Sequence, residues 1–205
     1  MKRLLIATFL VVSIAAAPAA AEDEPVLGAC EGCDAVFQGL PEKLDWSAIL
    51  ATREYGEPMR IDGVVRDGEG NPVPGIIVYA YQTDKTGVYV RDESLKMPAR
   101  RHGKLRGWAK TDADGKYRFH TVRPGGYPGT SIAAHVHMHV IEPGRCTYYI
   151  DDILFTDDPD LSSDDMGPGR GGKGVATPTK VDGEWRVVRD IVLGANVARY
   201  DTCGK

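Results

Sequence analysis

No run of basic residues occurs anywhere in the chain, and acidic side chains outnumber basic ones, 29 Asp and Glu against 25 Lys and Arg. Proteins that grip nucleic acid or anionic membranes do so with clustered cations, so neither is an expected partner. Long apolar runs are missing too. The stretch from Leu4 to Ala17 falls short of the roughly 20 residues a membrane-spanning helix needs. Internal repeats are absent. Cysteine is scarce at four residues, and histidine at five, yet three of those histidines stand at positions 135, 137 and 139.

Two tempting motifs are incomplete. Asp112-Ala113-Asp114-Gly115 opens like a calcium loop but has no glutamate at the twelfth loop position. It reads instead as a hairpin turn, because Asp-Gly is a strong turn signal. Gly167-Pro168-Gly169-Arg170-Gly171-Gly172-Lys173 has the spacing of a phosphate loop, but Gly174 stands where Ser or Thr should hold magnesium. Residues 156–180 read as a long surface loop, acidic and then glycine-rich, at the rim of a candidate active site.

The first 21 residues read as a secretory signal. Lys2 and Arg3 give the charged start, Leu4 to Ala17 the apolar run, and Ala19-Ala20-Ala21 the small-residue cleavage site. Cleavage would leave about 180 residues, enough for one domain with a sizeable core. Leu27-Gly28-Ala29-Cys30 looks like a lipoprotein processing site, but Glu22, Asp23 and Glu24 separate it from the apolar run and argue against lipidation. The expected location is periplasmic or extracellular, where an even number of cysteines favours disulfides. Three pairings are open. The preferred one closes Cys30 with Cys33 and ties Cys146 to Cys203. A thioredoxin-like pair at Cys30 and Cys33 lacks a βαβ setting, and a four-cysteine zinc site lacks a second close pair.

Residues 22–55 form an N-terminal arm. Within it, Leu44 to Ala51 has helical spacing of apolar residues and predicts one short helix lying on the domain. From Met59 the texture changes to short β segments separated by turns. Strands are expected over 60–66, 73–82, 107–111, 117–122, 134–140, 146–155 and 185–193. This pattern predicts an all-β fold, a single β-sandwich over residues 56–205.

Alternation along the fifth of these strands puts His135, His137 and His139 on one face, about 6.6 Å apart for each pair of residues. Ala134, Val136, Met138 and Val140 face the other way, into packing. Imidazoles beside a phenol, here Tyr127 in Pro124-Gly125-Gly126-Tyr127-Pro128, make a candidate metal site. A histidine pair satisfied by hydrogen bonds in a core is the plainer alternative.

Several segments together carry a more specific signal. Ile61-Asp62-Gly63-Val64-Val65, Gly70, Val73, Val78 and Gly87-Val88-Tyr89 come first. Arg106-Gly107-Trp108, Thr111 to Phe119, Thr121 to Pro128 and Ala134-His135-Val136-His137 follow. Over roughly residues 59–158 this series resembles the intradiol ring-cleavage dioxygenases. The resemblance implies a prealbumin-like β-sandwich with a short N-terminal helical arm. It also implies a non-haem ferric iron held by Tyr89, Tyr127, His135 and His137. The implied substrates are a catechol-type small molecule and O2, and the implied product is a muconate-type diacid, with no organic cofactor. Tyr127 would be the ligand that substrate displaces, so that it accepts a catechol proton. The donor set suits that ion: phenol has a pKa near 10, and only a strongly charged metal deprotonates it at neutral pH.

Three departures accompany the resemblance. The family carries an arginine three residues before the first histidine, where this chain has Ile132; Arg101, Arg123 and Arg170 are candidates to supply the charge from elsewhere. Tyr79 stands where the family has an acidic residue, and Ala80 replaces a larger apolar one. His139 adds a third imidazole, expected to orient ligands or to pack. Two other readings stay open. One is an exported, non-catalytic binding module of the carboxypeptidase-regulatory or transthyretin-like kind, whose glycine-tyrosine turns need no metal. The other is a zinc or copper site built from His135, His137 and His139. The sequence leaves open which catechol is bound and whether the chain forms a homo-oligomer.

Overall fold

In the computed structural model, residues 25–28 and 33–204 are described; the expected signal segment and the Cys30 half of the expected Cys30–Cys33 bridge lie outside them. The strands are β1 (Val26–Leu27), β2 (Ser47–Ile49), β3 (Pro58–Arg66), β4 (Ile77–Gln82), β5 (Arg106–Lys110) and β6 (Lys116–Val122). They continue with β7 (His135–Glu142), β8 (Cys146–Phe155), β9 (Val175–Ala176), β10 (Thr179–Val181), β11 (Glu184–Val188) and β12 (Ile191–Val192). One sheet runs β1-β8-β7-β4-β5, with β9 also on β8. The other runs β10-β11-β3-β6-β2, with β12 also on β3. The all-β sandwich expected from the sequence is what forms.

The core between the sheets follows from period-two patterning. Along β3, Met59, Ile61, Gly63 and Val65 are buried while the residues that alternate with them are partly exposed. Val136, Met138 and Val140 of β7 enter the same cluster, with Val78 and Ala80 of β4 and Phe119 of β6. The outer face of the first sheet is not left to water either. β4 is buried at all six positions, because Ile77, Tyr79 and Tyr81 pack in a second cluster with Val36 and Ile141, flanked by Phe37, Leu40 and Leu44 of the arm. The histidine face of β7 lies on this covered outer side.

The helix expected over residues 44–51 does not form. Ser47–Ile49 is a strand, parallel to β6, with Ala48 opposite Phe119. Its side chains alternate accordingly: Leu50 and Ala48 join the core while Ile49 is 70% exposed. The reason is an open sheet edge. β6 presents unpaired backbone groups, and the arm satisfies them: Arg118 N donates to Trp46 O and Leu50 N to His120 O. Asp45 O accepts from Lys110 N of β5, so the arm bridges the two sheets. That backbone demand outweighs the helical spacing of a few apolar residues. The arm's helical content within the described residues is short 3-10 turns, at Cys33–Phe37 and Arg53–Tyr55.

The turn at 112–115 also differs from expectation. It is tight, with Asp112 Oδ1 accepting from Asp114 N and Lys116 N, but the strands it joins do not pair. β5 belongs to one sheet and β6 to the other, so the turn is a corner between layers and not a hairpin. Gly115 is required there: its φ is +71°, and a Cβ would stand 2.7 Å from Val65 O.

The C-terminal tail is fastened at the far end of β7. Buried Glu142 accepts hydrogen bonds from Tyr148 Oη (2.7 Å), Tyr200 Oη (2.8 Å) and Arg145 Nη1 (2.6 Å). Beside it Cys146 and Cys203 form the expected disulfide, Cα atoms 5.3 Å apart and 57 residues apart in sequence. Cross-links of such span stabilise by restricting the unfolded chain. Replacing both cysteines with serine should therefore cost about 2–4 kcal/mol. Calorimetry should show Tm falling by roughly 5–15 °C; an unchanged Tm would remove the clasp from the stability of the fold.

Candidate metal centre

Two loops and one strand deliver the site. Tyr89 sits on the loop after β4, Tyr127 on the loop after β6, and His135 and His137 on β7. The loops touch backbone to backbone, and glycines make that possible. At Gly87, φ is +78° and a Cβ would be 1.8 Å from Gly126 O; at Gly125 a Cβ would be 2.6 Å from Lys85 O. Hydrogen bonds lock the contact: Gly125 N donates to Asp84 O, and Thr83 Oγ1 to Gly125 O at 2.9 Å.

Four donor atoms meet as a result. Tyr89 Oη lies 2.6 Å from Tyr127 Oη and 2.8 Å from His137 Nε2. Tyr127 Oη lies 3.1 Å from His135 Nε2 and 3.4 Å from His137 Nε2, and the two Nε2 atoms are 3.1 Å apart. His139 stands apart from this group. It is buried, its ring edge-on to Tyr79 and Tyr149, with no hydrogen-bond partner for Nδ1. A site built from three imidazoles therefore lacks its third.

The protons of the histidines are fixed from behind. His135 Nδ1 is 2.7 Å from Ala133 O, which can only accept, so the proton of the neutral ring is on Nδ1. His137 Nδ1 is 3.1 Å from Asp152 Oδ1. Burial alone would raise the Asp152 pKa, but the hydrogen bond and charge of His137, the charge of His135 and the hydrogen bond of Tyr149 outweigh it and hold the carboxyl below its usual value. Asp152 thus accepts from His137 Nδ1–H. With the outer proton on Nδ1, a neutral ring at each position turns a bare Nε2 lone pair toward the other. Two facing acceptors need protons or a cation between them.

The phenols lie within reach of both nitrogens. Burial pushes the pKa of Tyr89 up, with the Tyr127 hydrogen bond adding to the shift, and burial likewise raises Tyr127. Burial, then the neighbouring His137, lowers the pKa of His135. The two phenol hydroxyls lie within hydrogen-bond reach of each other and of both Nε2 atoms. Replacing both phenol protons by one trivalent ion would give two phenolate and two imidazole ligands, with most of the charge cancelled. The donor set therefore fits a hard, highly charged metal such as ferric iron.

Asp152 escaped the sequence reading. Its signal was a break in alternation: Ile150 and Ile153 both enter the core, three positions apart where a regular strand allows two or four. In the structure Val136 pairs with Ile153 but Met138 with Ile150, so β8 carries a bulge opposite His137. The extra residue turns Asp152 to the histidine face. Asp152 also lies within 4.8 Å of the donor atoms of His135 and His137, but it holds the far nitrogen of His137.

A cavity of about 750 Å³ opens onto Tyr127, His135 and His137, and Tyr89 is not part of its wall. The 156–180 loop does form its rim, from Asp165 to Val175. Of the three arginines considered for the missing charge, Arg170 lines the cavity. Arg123 is instead paired with Asp157 at 2.6 Å and stacked on Phe155, and Arg101 is in the 3-10 turn Ala99–His102, outside the cavity wall. Arg189 braces the rim from beneath. Its buried guanidinium donates to Gly171 O (3.0 Å), Asp190 O (2.6 Å) and Asp151 O (3.2 Å).

Gly87→Ala tests the loop contact. The new Cβ cannot fit against Gly126 O, so the tyrosines should separate and ferric-ion binding weaken by at least about tenfold, as when metal-orienting contacts are lost. The core between the sheets is untouched, so Tm should move little. Gly68→Ala, with nothing within 4 Å of its Cβ position, should change neither quantity in parallel metal titrations and melts.

A family model described as dioxygenase matches residues 41–182. The chain is 31% identical over 184 residues to a hydroxyquinol 1,2-dioxygenase of Nocardioides simplex, covering 76% of this chain and 60% of the relative. It is 30% identical over 131 residues to a protocatechuate 3,4-dioxygenase beta chain of Burkholderia cepacia, covering 61% and 56%. It thus spans well under two thirds of the length of these curated relatives. Among solved structures, the dioxygenase domain of a dioxygenase–carbohydrate-binding fusion from the cellulolytic bacterium Streptomyces sp. SirexAA-E superposes with a TM-score of 0.56 at 25% identity, covering 77% of this chain and 94% of that domain. Catechol 1,2-dioxygenase from Acinetobacter sp. ADP1 gives a TM-score of 0.56 at 20% identity, covering 82% and 59%, a likeness of fold. By the family match, and by the β-sandwich that carries it, the chain belongs to the intradiol dioxygenases.

Proposed function

We propose that the protein is a non-haem Fe(III) dioxygenase that opens a catechol-type ring between its two hydroxyl-bearing carbons. Both atoms of O2 would enter the product, a muconate-type diacid. The observation that carries this reading is the pair of Nε2 lone pairs facing each other 3.1 Å apart beside two buried phenols. Tyr89, Tyr127, His135 and His137 would hold the iron. A ferric ion held there would supply Lewis-acid activation of the bound catecholate toward O2.

The residues of the chain do the rest. Tyr127 faces the cavity and Tyr89 does not, so Tyr127 is the phenol a substrate reaches. Its oxygen takes a hydroxyl proton from the catechol, work worth about 10²–10⁴ in rate when a base is correctly placed. Asp152 and Ala133 O keep the histidine protons on Nδ1, so Nε2 of each ring stays a donor throughout. We further infer that the protein works outside the cytoplasm. The signal-like start supports this, and so does the Cys146–Cys203 disulfide.

The test begins with colour. Protein loaded with ferric ion should show a phenolate-to-iron absorption band in the visible, bind about one iron per chain, and lose the band's intensity in part on Tyr127→Phe and on Tyr89→Phe. Tyr127→Phe should also lower kcat on catechol by about 10²-fold or more, on the scale of a lost general base. Iron-loaded protein without a visible band and without turnover would overturn the assignment in favour of a binding module, and full turnover by Tyr127→Phe would remove Tyr127 as the proton acceptor.

A further inference from the structure

The cavity has far more room than one aromatic ring needs. A cavity of about 150 Å³ is enough to hold benzene, whereas this one measures about 750 Å³. A bare catechol against Tyr127, His135 and His137 would leave most of it unfilled. Part of the remaining wall is apolar and open, from Ile132 (44% exposed) and Met166 (54% exposed).

The charges in the wall are unevenly committed. Asp151 accepts at 2.6 Å from Gly169 N, at 3.1 Å from Arg170 N and at 2.9 Å from Arg170 Nε. Asp152 accepts from His137, and Asp165 accepts from Ser162 N and Ser162 Oγ, both at 2.8 Å. Asp151 thus commits both carboxylate oxygens, Asp152 one oxygen to His137, and Asp165 its Oδ2, while Arg170 pairs with Asp151. Arg170 commits its side chain only through Nε, and neither terminal nitrogen makes a hydrogen bond among the described residues. Lys173, in the same wall, has no ion pair among them either. The terminal N–H groups of Arg170 and the Lys173 ammonium are the groups of the wall open to an anion.

Arg170 is also held ready. Its guanidinium carbon lies 4.8 Å from the centre of the Tyr149 ring, its main chain is tied to Asp151, and Arg189 supports the adjacent carbonyls from below. A guanidinium fixed in this way loses little freedom when it binds, and its terminal N–H groups match the two oxygens of a carboxylate. Building on the ring-cleavage reading above, we propose that the substrate is a catechol whose ring bears an extended side chain ending in a carboxylate. Arg170 is the residue that recognises the carboxylate, and Lys173 adds to the field.

The experiment compares kcat/KM of the full, iron-loaded chain on catechol, 3,4-dihydroxybenzoate, 3,4-dihydroxycinnamate and the methyl ester of 3,4-dihydroxycinnamate. The cinnamate acid should exceed each of the other three by about tenfold or more, the scale of one charge-assisted hydrogen bond. Arg170→Gln should lower the acid-to-ester ratio about tenfold, Arg170→Lys less, and Lys173→Gln less again, with folding checked by circular dichroism. Equal cleavage of acid and ester, or a ratio that neither Arg170→Gln nor Lys173→Gln moves, would overturn the assignment while leaving ring cleavage standing. Preference for the benzoate would remove the extended side chain. Failure to cleave any of the four would instead sink the ring-cleavage reading, and this inference with it.

Discussion

Two imidazole nitrogens with no proton of their own, 3.1 Å apart on one strand, are the constraint to which the surrounding structure answers. Neighbouring side chains on one face of a strand ordinarily stand about 6.6 Å apart, so His135 and His137 must lean together. Ala133 O takes the outer proton of one ring and Asp152 that of the other. Left to themselves, the two lone pairs would be buried acceptors without donors, a costly state. The phenols of Tyr89 and Tyr127 lie within hydrogen-bond reach of them; a trivalent cation would relieve it with charge. One set of four atoms is compatible with both states, because burial keeps the phenols protonated until something more strongly charged arrives.

That arrangement needs precise backbone positions far apart in sequence. Gly87 and Gly125 let the two tyrosine loops approach within a distance no side chain would permit. The β8 bulge opposite His137 is the second device, since a regular strand would turn Asp152 away from the histidine. Neither device belongs to the sandwich core. Sheet packing fixes β7 and β8, and the site is then adjusted by one extra residue and a pair of glycines. The core can therefore tolerate changes that the site cannot, and the reverse.

Much of this was legible in the residue order, for reasons that can be stated. The β-sandwich follows from short alternating segments such as Met59 to Val65, and the histidine strand from three imidazoles at every second position. Tyr89 and Tyr127 could be singled out only through likeness to a family, since nine tyrosines occur in the chain and no periodicity marks two of them. The helix over residues 44–51 misled because apolar spacing takes no account of a sheet edge awaiting a partner. Asp152 was hidden because a bulge is a tertiary event, although the Ile150–Ile153 interval carries its trace. The layer change at Asp112–Gly115 was invisible, since a tight Asp-Gly turn has the same sequence whether its strands pair or part.

The departures from the family pattern are explained by the packing behind His137. Tyr79 stands where an acidic residue would be expected, and its hydroxyl shares a 2.8 Å hydrogen bond with His102 Nδ1 in a fully buried setting. Burial, then the neighbouring His137, pushes His102 down to about 3, and Arg106 Nη1 donates to the same Tyr79 hydroxyl at 3.4 Å. His102 in turn stacks flat on Tyr81, centroids 3.7 Å apart and planes 1° apart, and Tyr81 stacks on His137 at 4.4 Å. Each such contact contributes on the order of 1 kcal/mol beyond burial, and together they restrict the plane of the His137 ring while Asp152 restricts its proton. Ala80 is small because its side chain faces the opposite way, into the sandwich core with Met138 and Val140, where the facing sheet supplies the bulk through Phe119 and Tyr117. Aromatic stacking of Tyr81 and His102 on one side of His137, with the Asp152 carboxylate at its Nδ1 and Arg170 and Lys173 at the rim, separates an end that orients the imidazole from an end that opens on the cavity.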